Sequence, residues 1–528
     1  MKLRLWIDAL GAGAAAGLVA EVLVLRMNPE VTQTVRGVLI GVPLWASWGM
    51  VMVGVPLLIG LVIIERLRRR DDRWAAPALN AGVYFVAAAL TAVNAKFHAL
   101  LLSGPAHRVL VQDSVAWAIV VALAVFTGWL GRGSDNGTKW RVAFSIVMAI
   151  LPVVRLLTAP TPAREYLEVA AQPLGEPERT LLVIGLEGLD AKVFLADAVS
   201  SSYPNLTKLR EQGTWAPISP HRPFLRWALW TSAATGTFPG RHGVKDHRGW
   251  DLPLIFDDTL RLLPWTPEGS RMILPWGISK QVAPPPATVA PLWARLAASG
   301  VETAVLGWPG SWGEDSSLQA FEKDENEDLL EPARRASLEA ALEPFPERRS
   351  QIWSAIERDQ AHLVRALDAL DARAGNVWVH FETLALARRY HEPLKPRHTR
   401  ERFFLELVME LVDLQVGALL DAGGGRRLTA VVSPFGLEAP GSFERLKRTF
   451  GGGGSWHTSA DGCPEGLLIL LGEGVNPGGR AQAIHPPDVA PTLCYLLGLP
   501  VAQYMEGSVL VAAATPAFVE GHPLRVVD

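Results

Sequence analysis

The sequence predicts an α/β fold, a mainly parallel sheet sandwiched by helices, preceded by an all-α transmembrane domain of about five helices. Three observations carry this. The chain has 528 residues, 49% of them hydrophobic, and the apolar excess is concentrated before residue 158. Later in the chain, apolar runs of five to seven residues alternate with amphipathic stretches, as expected of strands buried on both faces between covering helices. Between the two halves lies a proline-rich segment, 159–178, with Pro160, Pro162, Pro173 and Pro177, which reads as a linker.

In the first half, residues 1–158, the apolar stretches are 5–25, 37–64, 77–102, 114–131 and 142–158. Each approaches or exceeds the ~20 residues that cross a bilayer, the last two being short enough for a tilted or re-entrant segment. Trp6, Trp45, Trp48, Trp129 and Trp140 lie in or near them, where interfacial belts or core packing place tryptophan. Lys2, Arg4, Arg66, Arg68, Arg69, Arg70, Arg73, Arg132, Lys139 and Arg141 fall on one side, and only Arg26, Arg36 and Arg108 on the other. The positive-inside rule puts the richer side in the cytoplasm and delivers residues 179–528 outside. Glu21, Lys96 and Asn94 sit in apolar surroundings, where an uncompensated charge is costly. The expectation is a membrane ion pair between Glu21 and Lys96 with Asn94 nearby, a proton or ion path being the alternative.

In the second half the predicted strands are Thr180–Leu186, Glu302–Gly307, Asn376–Glu382, Leu428–Ser433 and Gly466–Leu471, with helices at Pro291–Ser299, Ile352–Arg373 and Arg400–Asp421. Ligands of such sheets sit at the carboxyl ends of the strands, which directs attention to Glu187, Asp190, Glu382 and Ser433. Residues 311–350 are charged and read as a solvated insertion or lid. The net charge of −3, without a basic stripe, gives no reason to expect nucleic acid. Two cysteines, Cys463 and Cys494, exclude a disulfide framework and leave a single bridge or two free thiols open.

The stretches LLVIGLEGLD (181–190), YPNLTKLREQGTWAPI (203–218) and WTSAATGTFPGRHGV (230–244) resemble the opening of type I phosphodiesterase/nucleotide pyrophosphatase domains of the alkaline phosphatase superfamily. PLWARLAASGVETAVLGWPGSW (291–312) and HPPDVAPTLCYLLGLPVAQYMEG (485–507) are similar to its second strand region and closing segment. The resemblance implies an alkaline-phosphatase-like sheet. It also implies a chemistry in which two divalent cations, held by six Asp or His side chains, clamp phosphoryl oxygens while a Thr or Ser hydroxyl attacks. Helices before an extracytoplasmic domain also resemble the layout of envelope phosphoglycerol and phosphoethanolamine transferases.

Carried over by position, the first family aspartate falls on Glu187 and the nucleophile on Arg226. The Asp-x-x-x-His pair falls on Ala385 and Arg389, or on Leu384 and Arg388 in the neighbouring register. The pair inside the Ser-Asp-His-Gly tetrad becomes Pro434 and Phe435, and the last histidine becomes Gly462. Proline, phenylalanine, alanine and glycine offer no ligand, and a guanidinium repels a cation. No catalytic residue and no metal is therefore expected, Glu187 and His457 being the residues that would bind one if any did. Arg226 is expected to occupy the former metal region and pair with Glu187. Asp190 reads as a helix cap. His221, His242, His247, His380, His391 and His457 lack a recognisable ligand spacing.

The reading is a membrane-anchored extracytoplasmic pseudoenzyme in the bacterial inner membrane, a binding or scaffold component of the envelope. Its partners would be the lipid bilayer and another envelope or membrane protein or an anionic head group. The alternative is an active phosphodiesterase or phosphotransferase on an envelope phosphoester, with zinc or manganese in a rearranged site.

Overall fold

The computed structural model describes residues 3–68, 75–130, 137–158, 170–195, 202–245, 248–264, 278–281, 287–310, 330–343, 346–390, 399–423, 426–437 and 464–527. The chain divides into two compact units, residues 1–166 with 245–283, and residues 167–244 with 284–528.

The first unit contains α1 (Leu3–Met27), α2 (Val35–Gly49), a single π-helical turn (Met50–Gly54) running on into α3 (Val55–Arg68), α4 (Ala75–Phe97), α5 (Gly104–Leu130) and α6 (Gly137–Thr158). Among the described residues, four stretches are long and apolar enough to cross a membrane: Leu5–Met27, Val35–Ile64, Pro77–Phe97 and Gly104–Thr127, with Val142–Thr158 a shorter apolar helix. The glycines of α1 explain its burial against α2. A Cβ on Gly17 would lie 2.0 Å from the Trp45 carbonyl oxygen, and one on Gly13 would lie 2.7 Å from Gly54 Cα. Only glycine lets the two backbones approach this closely. The α5 helix starts at Gly104, ahead of the predicted stretch, because its first turns hold a buried charge. Asp113 there binds Arg26 at 3.2 Å and also Arg155.

The expected pair of Glu21 with Lys96 does not form. Glu21 is buried with Oε1 turned toward α2, where a Cβ on Gly41 would be 2.6 Å from it, and Oε2 has no hydrogen-bond partner. Lys96 is exposed. The two side chains leave their helices in different directions, Glu21 into the bundle and Lys96 out of it. Asn94 donates to the Leu90 carbonyl of its own helix at 2.9 Å.

Residues 245–283, which the sequence reading assigned to the 179–528 domain, pack with the helices. Strand β3 (Arg248–Asp251) pairs antiparallel with β4 (Ile278–Gln281). Leu252, Ile255, Phe256 and Leu260 join the same apolar cluster as Val24, Val31 and Trp45. Asn28 is fully buried and clamps the segment: its Nδ2 donates to the Leu262 carbonyl at 2.8 Å, and its Oδ1 accepts from the N–H groups of Arg261 and Leu262 at 2.7 and 2.8 Å. Lys245 meets Glu30 at 2.8 Å. Glycine, proline and charge hid this segment's apolar turn from pattern reading.

The second unit is built on a six-stranded sheet. Its strands are β1 (Thr180–Leu186), β2 (Thr214–Ile218), β5 (Thr303–Leu306), β6 (Asn376–Phe381), β7 (Arg427–Ser433) and β8 (Gly466–Leu471), in the order β2-β8-β7-β1-β6-β5. The pairs from β7 to β5 are parallel, and β8 is antiparallel to both its neighbours. Helices cover both faces: one apolar core holds Trp230, Trp308 and Trp378, the other Leu206, Leu363 and Val408. Within 311–350, Pro332–Leu342 is a helix that buries Leu338 and Leu342, so this part belongs to the core rather than to a solvated lid; 311–329 lie outside the described residues. The linker's end is also engaged, Leu174 N donating to Ser299 Oγ at 2.9 Å. The short β2, with Pro217 inside it, and the pair β9 (Val501–Ala502) with β10 (Val526–Val527) carry too little periodic pattern to be read from sequence.

Candidate functional site

Strands β1 and β6 lie side by side in parallel, Leu186 opposite Phe381, so the residues that follow them, Glu187 and Glu382, emerge at the same sheet edge. The helix Arg226–Thr235 places its first residue there too. Arg226 Nε donates to Glu187 Oε2 at 2.8 Å, and its Nη2 lies 2.6 Å from the same oxygen and 3.3 Å from Glu382 Oε2. His380 Nε2 is 3.3 Å from Glu187 Oε2, and Arg358 closes the network on Glu382 Oε1. Glu187 is 1% exposed and Arg226 19%. Burial by itself would raise the Glu187 carboxyl, but the Arg226 guanidinium and His380 outweigh it and hold the group below the usual carboxylate range. Two carboxylates and two guanidinium groups therefore balance.

The helix Pro346–Asp371 supports this arrangement from behind. Its Asp359 accepts the N–H groups of Glu382 and Thr383 at 3.1 and 2.9 Å and so caps the helix Thr383–Tyr390. Burial pushes the Asp359 carboxyl up to about 7. His362, one turn on, meets the His380 carbonyl through Nδ1 at 3.1 Å.

A second guanidinium lies beside the loop after β1. Arg388 is 4% exposed, binds Asp190 Oδ2 at 2.9 Å, donates to the Gly188 carbonyl, and reaches the Leu437 carbonyl at 3.0 Å. Asp190 is the expected cap, accepting from Val193 N at 2.8 Å. Ala385 packs on Gly188, where a Cβ would stand 2.8 Å from Ala385 Cα. In the Asp-x-x-x-His segment it is thus Arg388 that is buried at the strand ends, while Arg389 is half-buried. Leu384 is buried in the core.

The remaining positions are filled by hydrophobic groups. Ser433 Oγ donates to the Phe435 carbonyl at 3.1 Å, fixing the turn through Pro434. The Phe435 ring is fully buried, in edge contacts with Phe224 at 4.7 Å and Trp230 at 6.5 Å. Trp230 in turn meets His380 at 4.7 Å and Trp308 at 4.9 Å. His221 and His242 are buried on Ser232, whose Oγ lies 3.4 and 3.0 Å from their Nε2 atoms. Burial holds both imidazoles down to about 3. Gly462, His457, His247, His391 and Cys463 lie outside the described residues; Cys494 is a buried free thiol.

The sequence model of the family described as type I phosphodiesterase/nucleotide pyrophosphatase matches residues 181–432. This part of the chain is a type I phosphodiesterase/nucleotide pyrophosphatase domain. Among solved structures, the chain is similar to murine ectonucleotide pyrophosphatase/phosphodiesterase 5 at 12% identity, over 62% of this chain and 98% of that one, with a TM-score of 0.39. An inactive form of the same murine protein in complex with AMP aligns at 12% identity over 64% and 100%, with a TM-score of 0.40. No curated protein matches the chain by sequence.

Phosphodiesterases of this kind work through paired divalent cations, and the residues present do not fit them. At the ligand positions among the described residues, Glu187 is the one carboxylate, and its Oε2 is already bound by a guanidinium. Its Oε1 is buried and unpartnered, which offers a single oxygen beside a positive charge. Among the described residues no three His, Cys, Asp or Glu side chains gather in a metal-binding group.

Sequence reasoning missed Arg358, Asp359 and the inward role of His380 in the phosphodiesterase domain. Arg358 and Asp359 lie on an amphipathic helix whose charges read as a solvated face. Among Glu357, Arg358, Asp359 and Gln360, nothing in the sequence marks the aspartate that turns inward.

Proposed function

We propose that this chain is a membrane-anchored member of the phosphodiesterase family that binds rather than hydrolyses. In this reading the N-terminal helices span a bacterial inner membrane, the phosphodiesterase domain is extracytoplasmic, and the protein serves as a binding or scaffold component of the envelope. One observation carries the reading: Arg226, which the family resemblance aligns with the nucleophile, sets its guanidinium on the Glu187 carboxylate. A cation there would have to displace a buried charge-assisted pair, and no hydroxyl stands at that position to attack phosphorus.

The same geometry speaks against an anionic head group at Arg226, since two carboxylates already compensate that guanidinium. The test uses full-length protein purified in lipid nanodiscs. Metal content would be measured after dialysis against zinc and manganese, and hydrolysis of bis(4-nitrophenyl) phosphate followed with each ion. We expect substoichiometric metal and no turnover. Stoichiometric zinc or manganese with turnover, lost on Glu187→Ala, would overturn the reading.

A further inference from the structure

We propose that the turn Leu252–Phe256 is immersed in the bilayer, in the leaflet on the side of the 28–34 connection. The chain then meets lipid through a segment inserted within the phosphodiesterase sequence as well as through its N-terminal helices. This rests on the reading of those helices as membrane spans.

The depth of the turn follows from its seat. A Cβ on Gly37 would lie 2.6 Å from the Ile255 carbonyl oxygen, and one on Gly41 would lie 3.0 Å from Ile255 Cγ2. At 1.5 Å per residue, Gly41 is about 9 Å inside the start of α2. The Gly41 position also faces Glu21, which is about as far from the end of α1. Ile255 is therefore seated on α2 inside its start, at the level where Glu21 of α1 approaches the same helix.

The polarity of the segment changes with level. Its polar attachments fall at the connection between the helices: Asp258 accepts from Thr32 N at 2.8 Å, Lys245 binds Glu30, and Asn28 holds the backbone at 261 and 262. Its tip is apolar and, on one side, uncovered. Leu254 is 62% exposed beside the buried Ile255 and Phe256. Along the same stretch of α2, Val35 and Leu39 are 77% and 70% exposed. Leu39 lies between Gly37 and Gly41 along the helix, so acyl chains that cover it extend to the level at which Ile255, the neighbour of Leu254, is seated. An uncovered leucine at that level has no other solvent that suits it, and three residues of extended chain suffice to return from the tip to Asp258.

The experiment places a nitroxide on a single cysteine in the full chain with Cys463→Ser. Cys494 can remain, because it is fully buried and its thiol is pushed up to about 12. Labels at Leu254→Cys, Leu39→Cys and Glu520→Cys are compared in nanodiscs of phosphatidylethanolamine and phosphatidylglycerol, using collision with oxygen and with a water-soluble nickel chelate. We expect oxygen to dominate at 254 and 39, and nickel at 520. Nickel dominance at 254 with oxygen dominance at 39 overturns the proposal. Nickel dominance at 39 overturns the spanning reading beneath it, and the proposal with it.

Discussion

At the scale of single residues, the Arg226–Glu187 pair gives a measurable expectation. Glu187 is buried, so Arg226→Ala leaves a charge without compensation, a change that costs about 3 kcal/mol. The additional change Glu187→Gln should return a large part of that loss, because the neutral amide needs no counter-charge. Urea unfolding of both variants checks this; equal losses would show that the pair is not energetically coupled. Titratable groups supply a second expectation. His221 and His242 are held down to about 3 and His362 to about 4, each by burial first. The unfolded chain protonates these imidazoles near pH 6.5 and the folded chain does not, so stability is present above that value and falls as the pH drops below it. Asp359, raised to about 7 by burial, works in the opposite sense, since the folded state keeps a proton that the unfolded chain releases near pH 4. Its contribution is full at low pH and disappears as the pH rises through 7. Asp359→Asn should therefore make the loss of stability between pH 6.5 and 4.5 steeper, as read from melting temperatures across that window.

At the scale of elements, close approaches decide where helices sit. Gly188 has φ +92° and lies under Ala385, so Gly188→Ala adds a strained backbone and a clash with the helix that carries Arg388. A destabilisation of about 2 kcal/mol is expected, measured by thermal unfolding, whereas Gly60→Ala, with nothing within 4 Å, should change little. These contacts also show what the sequence could reveal. The five strands read from apolar runs, and the long helices, lie where their periodicity put them, because strands buried on both faces have an unmistakable composition. The Arg226–Glu187 contact was legible for a different reason: the family resemblance brings the two positions together, and a buried acid must find a cation. Side-chain direction was not legible. Glu21 and Lys96 both lie in the closing part of an apolar stretch, yet rotation about the helix axes sends one into the bundle and the other out of it. Likewise Asp359 resembles any other charge on an amphipathic helix until the fold places it over the free N–H groups of Glu382 and Thr383.

At the scale of the whole molecule, the order of the chain and the order of the units differ. The second unit releases the chain after Val244 and receives it again by 287, where Thr288 N donates to the His242 carbonyl at 3.1 Å. The two ends of the excursion are thus neighbours, and what lies between them buries Leu252, Ile255, Phe256 and Leu260 with the helical unit. Cutting the chain at the linker does not separate the units cleanly. A chain of residues 167–528 expressed alone would expose those four side chains to water, each favouring burial by roughly 1.5–3 kcal/mol, and should self-associate. Replacing 246–286 in that chain by a short glycine-serine link is expected to give a monomer with the same melting temperature as the second unit in the full protein, since the joined ends already meet. Light scattering on the two truncated chains checks this. A monomeric 167–528 chain, or failure of the shortened one to fold, would mean that residues 245–283 contribute to the second unit rather than to the first.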